Sequence, residues 1–127
     1  MRKLLTLVAS LFAVTAFAGE YPDISVSDLK KAIEEKKVVV IDVNGSKSYE
    51  KGHIPGAIDF ASKKSELATA LPADKDALVV AYCGGPTCSA YKSAAAAAEK
   101  LGYKNVKHLS AGISGLKAAG EKTEAKQ

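Results

Sequence analysis

Two short apolar runs constrain what this chain can fold into more than any other feature. "VVVID", residues 38–42, and "ALVVAY", residues 77–82, are rich in β-branched residues and show no alternation of apolar and polar positions. A strand with one wet face alternates; a run that is apolar throughout fits a strand covered on both faces, as at the centre of a parallel sheet. Around these runs the period changes. "ISVSDLKKAIEEKK" offers Ser25 as an N-cap with Asp28 three residues later, then Val26, Leu29, Ala32 and Ile33 at helical spacing. Between the two strands the sequence predicts a short helix over 46–51, the turn "GHIPGA", a short strand over 57–60, and a helix from about 62 to 70 that ends before Pro72. A helix from Ser89 to Leu101 should stop at Gly102 in the C′ position, followed by the strand "NVKHL" and a last helix near 113–119. Strands alternating with helices predict an α/β domain, with a mainly parallel central sheet flanked by helices on both faces. The alanines at 94–98 combine high helix propensity with a thin face for close packing on that sheet.

The first residues predict a compartment. "MRKLLTLVASLFAVTAFAGE" has a basic start, an apolar run from Leu4 to Phe17, and Ala16-Phe17-Ala18 as a small-x-small cleavage site. The run is shorter than the roughly 20 residues of a spanning helix, so it reads as a secretory signal peptide over 1–18 rather than an anchor. No cysteine lies near the cut to carry a lipid. The expectation is a periplasmic or secreted protein with no membrane span after cleavage, made of one domain over 19–120 and a polar, frayed tail over 121–127. The formal net charge of +4 falls to +2 without Arg2 and Lys3, and the remaining charge forms no basic cluster. Nucleic acid is therefore not an expected partner. Arg2 is also the sole arginine of the 127 residues, so the cleaved chain has no guanidinium to clamp an anion.

The chemistry concentrates in "YCGGPTCSAYK", residues 82–92. Cys83 ends a strand whose carboxyl end, in such a sheet, is where ligands bind. Gly84 and Gly85 let the backbone curl so that successive N–H groups form an anion nest around the sulfur, and the following helix dipole adds to it. A lowered thiol pKa and a reactive thiolate are the expected result. Pro86 brings no N–H, while Thr87 or Ser89 can supply a hydroxyl or cap the helix. Cys88, five residues from Cys83, leaves two readings open. It is either a redox partner that locks Cys83 in a disulfide, or a small helix residue that never meets it. A purely structural bridge is the weaker explanation, because so short a loop gains little from closure.

In "VVVIDVNGSKSYEKGHIPGAIDF" taken with "LVVAYCGGPTCSAYKSAAAAAEKLGYKNVKHLSAGISGLKAAG", the chain closely resembles a single-domain rhodanese over nearly all of its expected mature length. The resemblance rests on Asp42-Val43 ending a strand, Tyr49 before Gly52-His53-Ile54-Pro55-Gly56-Ala57, Tyr82-Cys83 opening a six-residue loop, Gly102-Tyr103, and Gly112-Ile113. It implies sulfane-sulfur transfer, with Cys83 cycling between thiolate and persulfide while the loop amides cradle the transferred sulfur. A small sulfur-containing donor, a thiol or cyanide-like acceptor and a protein sulfur acceptor are the partners it implies. No metal or cofactor is called for. The chain departs from the family pattern at three positions: Asn44 and Cys88 stand where arginines are common, and Leu116 where tryptophan is frequent. The first two weaken the case for thiosulfate and favour polysulfide or a persulfide as donor, with Lys92 the cation nearest the loop. A phosphatase of the cysteine type needs an arginine where Ser89 stands.

Other polar residues carry double readings. His53 in the "GHIPGA" turn is a candidate general base or a hydrogen-bonding loop residue, and Asp42 either orients the loop or makes a structural bond. His108 lacks a partner at metal-ligand spacing, and Tyr82 and Tyr91 read as core or rim aromatics. The sequence thus predicts an exported sulfurtransferase. A thiol–disulfide redox protein using Cys83 and Cys88, and a non-enzymatic polysulfide carrier, are the alternatives.

Overall fold

The computed structural model describes residues 21–85 and 87–125; the expected signal peptide and Pro86 lie outside the described residues. Four strands form one parallel sheet: β1 (Val38–Asp42), β2 (Ile58–Asp59), β3 (Leu78–Tyr82) and β4 (Asn105–Leu109), in the order β2-β1-β3-β4. Both apolar runs occupy the two central positions, and their register is direct, Val38 opposite Leu78 through Asp42 opposite Tyr82. Chain 22–24 lies along the outer edge of β4, where the Ile24 N–H donates to the His108 carbonyl and the His108 N–H to the Pro22 carbonyl.

Each strand sends alternate side chains to two cores. One contains Ile41, Val79, Ala81, Cys83 and Val106; the other contains Val40, Val80, Tyr82 and Leu109. The first is covered by α3 (Phe60–Lys63), α4 (Leu67–Ala70) and α5 (Tyr91–Lys100), through Phe60, Leu67, Ala94, Ala95 and Ala98. The second is covered by α1 (Val26–Glu34) and α6 (Gly112–Ala118), through Leu29 and Leu116. Leu116 is therefore a packing residue, in line with its place on the last helix. The remaining helix, α2 (Ser46–Lys51), leads from β1 toward the "GHIPGA" turn.

Local signals explain most boundaries. Ser25 caps α1 by accepting from the Asp28 N–H at 3.0 Å. At the end of α5, Gly102 adopts φ +100° and donates to the Glu99 carbonyl, while the Tyr103 N–H reaches back to Ala98, the paired bonds of a Schellman ending. Tyr103 also donates its hydroxyl to the Pro72 carbonyl.

Three expectations change. The helix foreseen over 62–70 begins at Phe60 under an Asp59 cap and is broken by a 3-10 turn at Lys64–Glu66. Asp59 accepts from the Ala61 N–H, so the chain turns directly out of β2. The helix after the cysteine loop starts at Tyr91 rather than Ser89, and Ser89 does not cap it. Its entry is tightened instead by bonds from Lys92 N–H to Ser89 and from Ser93 N–H to Ala90. Finally, the tail is tied down at Glu124, which exchanges both backbone hydrogen bonds with His53 and accepts from the Gly56 N–H through its carboxylate at 2.9 Å. Among the described residues no helix is long and apolar enough to cross a membrane.

Candidate active site

The carboxyl ends of β1 and β3 lie side by side because their register is direct, and three chain segments meet there. They are the turn after Asp42, the loop from Cys83 to Ala90, and the amino end of α6. Cys83 is wholly buried on the α5 side of the sheet. Its sulfur is bonded to that of Cys88, with the two Cα atoms 6.1 Å apart, inside the ordinary range for a disulfide. Cys88 is only partly buried and packs against the same core, whereas Cys83 is wholly enclosed. Of the two readings of Cys88, the structure thus contains the one in which it meets Cys83.

The loop is held from behind. Ile113 and Ser114, at the start of α6, donate their N–H groups to the carbonyls of Cys83 and Gly84, each at 3.0 Å. Gly112 makes this approach feasible: it has φ +63°, and a Cβ there would lie 2.5 to 2.6 Å from the backbone of Gly84 and Gly85. The Cys88 N–H is directed to the Gly85 carbonyl at 3.2 Å. In this oxidised form that amide does not contribute to the nest expected around Cys83. Thr87 and Ser89 are exposed, as is Lys92 in the first turn of α5.

Beneath the loop lies a buried polar network. Asp42 and Tyr82 are both wholly enclosed strand neighbours, and the Tyr82 hydroxyl donates to Asp42 Oδ2 at 2.5 Å. The same hydroxyl accepts from the Ile54 N–H at 3.0 Å, while Asp42 Oδ1 accepts from the Asn44 N–H at 2.7 Å. Burial pushes the Asp42 carboxyl above the ordinary range, against the opposing pull of the Tyr82 and Asn44 bonds. Burial and the Asp42 bond together hold the Tyr82 phenol protonated far above neutral pH. Asp42 acts on the loop at one remove: it fixes the turn that carries Asn44, whose Oδ1 lies 3.7 Å from where a Cβ on Gly84 would stand.

His53 belongs to a different cluster. Its ring stacks on Tyr49 with centroids 3.7 Å apart, Nδ1 bonds the Tyr49 carbonyl at 2.6 Å, and Nε2 faces Glu124 at 3.6 Å. The Tyr49 hydroxyl in turn donates to the Ala57 carbonyl. These contacts are those of a hydrogen-bonding turn residue, and none of them involves the cysteine loop. His108, for which the sequence offered no partner at metal-ligand spacing, is a buried imidazole stacked on Tyr91 at 3.4 Å between ring centroids, with Nε2 lacking a partner among the described residues. It sits opposite Ala81 in the sheet, on the face that also holds Cys83. No periodicity signals this, since position 108 acquires its neighbours only when β4 pairs with β3.

The parallel α/β sheet thus carries a cysteine at the carboxyl end of a central strand, in a glycine-bearing loop leading to a helix. The chain matches the Rhodanese-like domain family over residues 25–119 and belongs to it. Similar solved structures include a thiosulfate sulfurtransferase from Pseudomonas aeruginosa, 29% identical with a TM-score of 0.69, covering 92% of this chain and 22% of that one. The BH2092 protein of Bacillus halodurans is 26% identical with a TM-score of 0.65, covering 83% of this chain and 77% of that one. The 3-mercaptopyruvate sulfotransferase SseA of Escherichia coli, 21% identical with a TM-score of 0.65, covers 83% of this chain and 50% of that one and shares the fold. Among curated proteins, an HTH-type transcriptional regulator of Mycobacterium tuberculosis is 33% identical over 95 residues. That match takes in 74% of this chain, which spans 41% of the regulator's length.

Proposed function

We propose that the protein is an exported sulfurtransferase that carries sulfane sulfur on Cys83 and is held inactive when Cys83 and Cys88 are joined. The observation that carries the reading is the place of Cys83, buried at the end of a central strand in a loop braced by α6, within a rhodanese-like domain. In the reduced protein the Cys83 thiolate attacks the outer sulfur of a donor, takes it as a persulfide, and yields it to a nucleophilic acceptor. In the oxidised protein the Cys83 sulfur is already bonded and accepts nothing. An external dithiol opens the lock by exchange, its two thiols oxidised to a disulfide as both cysteines become thiols. Cys88, the less buried of the two cysteines, is the point of attack. Export is supported by the basic start and apolar run of residues 1–18 and agrees with a disulfide at the site.

The donor class follows from charge. Without an arginine after residue 2, and with the buried Asp42 carboxyl next to the loop, a dianion such as thiosulfate has little to bind. Polysulfide or a persulfide, whose terminal sulfur can be passed on without a guanidinium clamp, is the better match. Intact mass spectrometry of the reduced Cys88→Ser protein, in which nothing competes with the bound sulfur, after exposure to thiosulfate and, separately, to polysulfide tests the reading. A gain of one sulfur atom, removed by reductant and absent when Cys83 is also replaced by serine, is expected; no gain from any donor would end it.

The disulfide also supports a second reading, a thiol–disulfide redox protein. That reading requires both cysteines for activity on disulfide substrates, whereas sulfur loading requires Cys83 alone.

A further inference from the structure

We infer that the site reduces its own persulfide: Cys88 expels the sulfur held on Cys83 as sulfide, and the disulfide seen in the structure is the product of that step. The inference rests on the persulfide reading above and adds a second outcome for the bound sulfur, reduction instead of transfer.

The argument starts from which atoms are bonded. A thiol attacking a persulfide has two targets. Attack on the outer sulfur only moves the sulfane atom from one thiol to the other, whereas attack on the inner sulfur, Cys83 Sγ itself, displaces it. The structure joins Cys88 Sγ to Cys83 Sγ, the bond that inner attack makes. Bond formation at this site requires no change of fold, because the Cα atoms stand 6.1 Å apart while the Cys83 and Gly84 carbonyls remain anchored by Ile113 and Ser114. Cys88 lies outside those two anchors, and its short connection through Gly84 and Gly85 keeps it near its target.

The step balances without an outside oxidant. Cys83–S–SH and Cys88–SH become Cys83–S–S–Cys88 and hydrogen sulfide. The bond between Cys83 Sγ and the sulfane atom breaks, and the bond between the two Sγ atoms forms. The sulfane sulfur gains two electrons and the cysteine pair loses two. The Cys88 proton leaves to solvent, to which that side chain is partly open, and the departing hydrosulfide takes one up. A second turnover needs a dithiol of the kind invoked above, so the chain becomes a persulfide or polysulfide reductase driven by dithiols. An acceptor nucleophile has to capture the sulfane atom before Cys88 does.

A single-turnover experiment tests this on the full chain. The protein is reduced, freed of reductant, and mixed with an equimolar amount of polysulfide without oxygen; products are read by thiol-trapping mass spectrometry and sulfide assay. Wild type should finish as the Cys83–Cys88 disulfide with no added sulfur, and should release more sulfide than Cys88→Ser by one per protein. Cys88→Ser should keep the added sulfur, and Cys83→Ser should take none. If wild type retains the sulfur with Cys88 still a free thiol, the inference is overturned while the persulfide reading stands. If Cys88→Ser takes up no sulfur, the persulfide reading itself fails and the inference with it. Circular dichroism of both serine variants shows that they are folded.

Discussion

Gly112 presses directly on Gly84: a side-chain carbon on the first would lie 2.5 Å from the carbonyl carbon of the second. Because the neighbour is backbone, it cannot swing aside, and φ +63° at Gly112 disfavours any other residue. Gly112→Ala should cost roughly 1–3 kcal/mol from overpacking and roughly 1–2 kcal/mol more from the left-handed backbone. In a Cys88→Ser background, where the added sulfur is kept, sulfur loading of Cys83 should fall by more than in an equally destabilised core variant remote from the loop. Urea melts paired with mass spectrometry decide it, and a stable variant that loads normally would show that α6 does not brace the loop.

Tyr82→Phe removes one hydroxyl and leaves two buried groups short of a partner, the Ile54 N–H and Asp42 Oδ2. The expected loss is about 1–3 kcal/mol. The Asp42 carboxyl should also rise further, since the Tyr82 bond now lowers it. Carbon-13 NMR titration of the Asp42 carboxyl reads this, and an unchanged midpoint would contradict the network.

Burial lowers the His108 imidazole below its ordinary pKa of 6.5; Asp23 opposes this shift, and Lys92 of α5 adds to it. Below 6.5 the unfolded chain takes up the proton more readily than the folded one. The stability held by neutral His108 is therefore complete above pH 6.5 and is lost as pH falls toward the folded value. The Asp23 carboxylate, Lys92 and the stacked Tyr91 ring face this histidine in wild type and variant alike. His108→Gln should flatten the slope of unfolding free energy between pH 7.5 and pH 5; an undiminished slope would assign it to other groups.

Asn44 stands beside Gly84 with no cationic group of its own. Thiosulfate should act as a poor donor with a high KM that climbs with ionic strength. Asn44→Arg should lower that KM by about tenfold, the effect of one charge-assisted contact, and should leave polysulfide loading nearly unchanged. Steady-state kinetics with cyanide as acceptor measures both, and thiosulfate binding that is tight and insensitive to salt in wild type would refute the charge argument.

The sheet was legible because its central strands advertise themselves. "VVVID" and "ALVVAY" are apolar on both faces, so they have one stable place, and Ser25 and Gly102 mark helix ends through bonds to their immediate neighbours. The place of Cys83 at the mouth of the loop was legible because strand end, glycines and helix start are contiguous in the chain. The boundaries that moved lie where a local signal competes with a tertiary one. Asp59 caps α3 because β2 ends there, and Ser89 caps nothing because α5 begins two residues later, at Tyr91.

The order of residues by itself determined the α/β class, the two central strands, the cysteine at the end of one of them and the want of arginine around it. These follow from periodicity and composition, which act over a few residues. Three features were decided only in the folded molecule: the joining of Cys83 to Cys88, the pairing of Asp42 with Tyr82 forty residues away, and the capture of the tail by His53. Each depends on distances between segments that only strand register and helix packing bring together. A cysteine five residues from another reads the same whether its side chain points toward its neighbour or away, until the loop between them is held in place by α6.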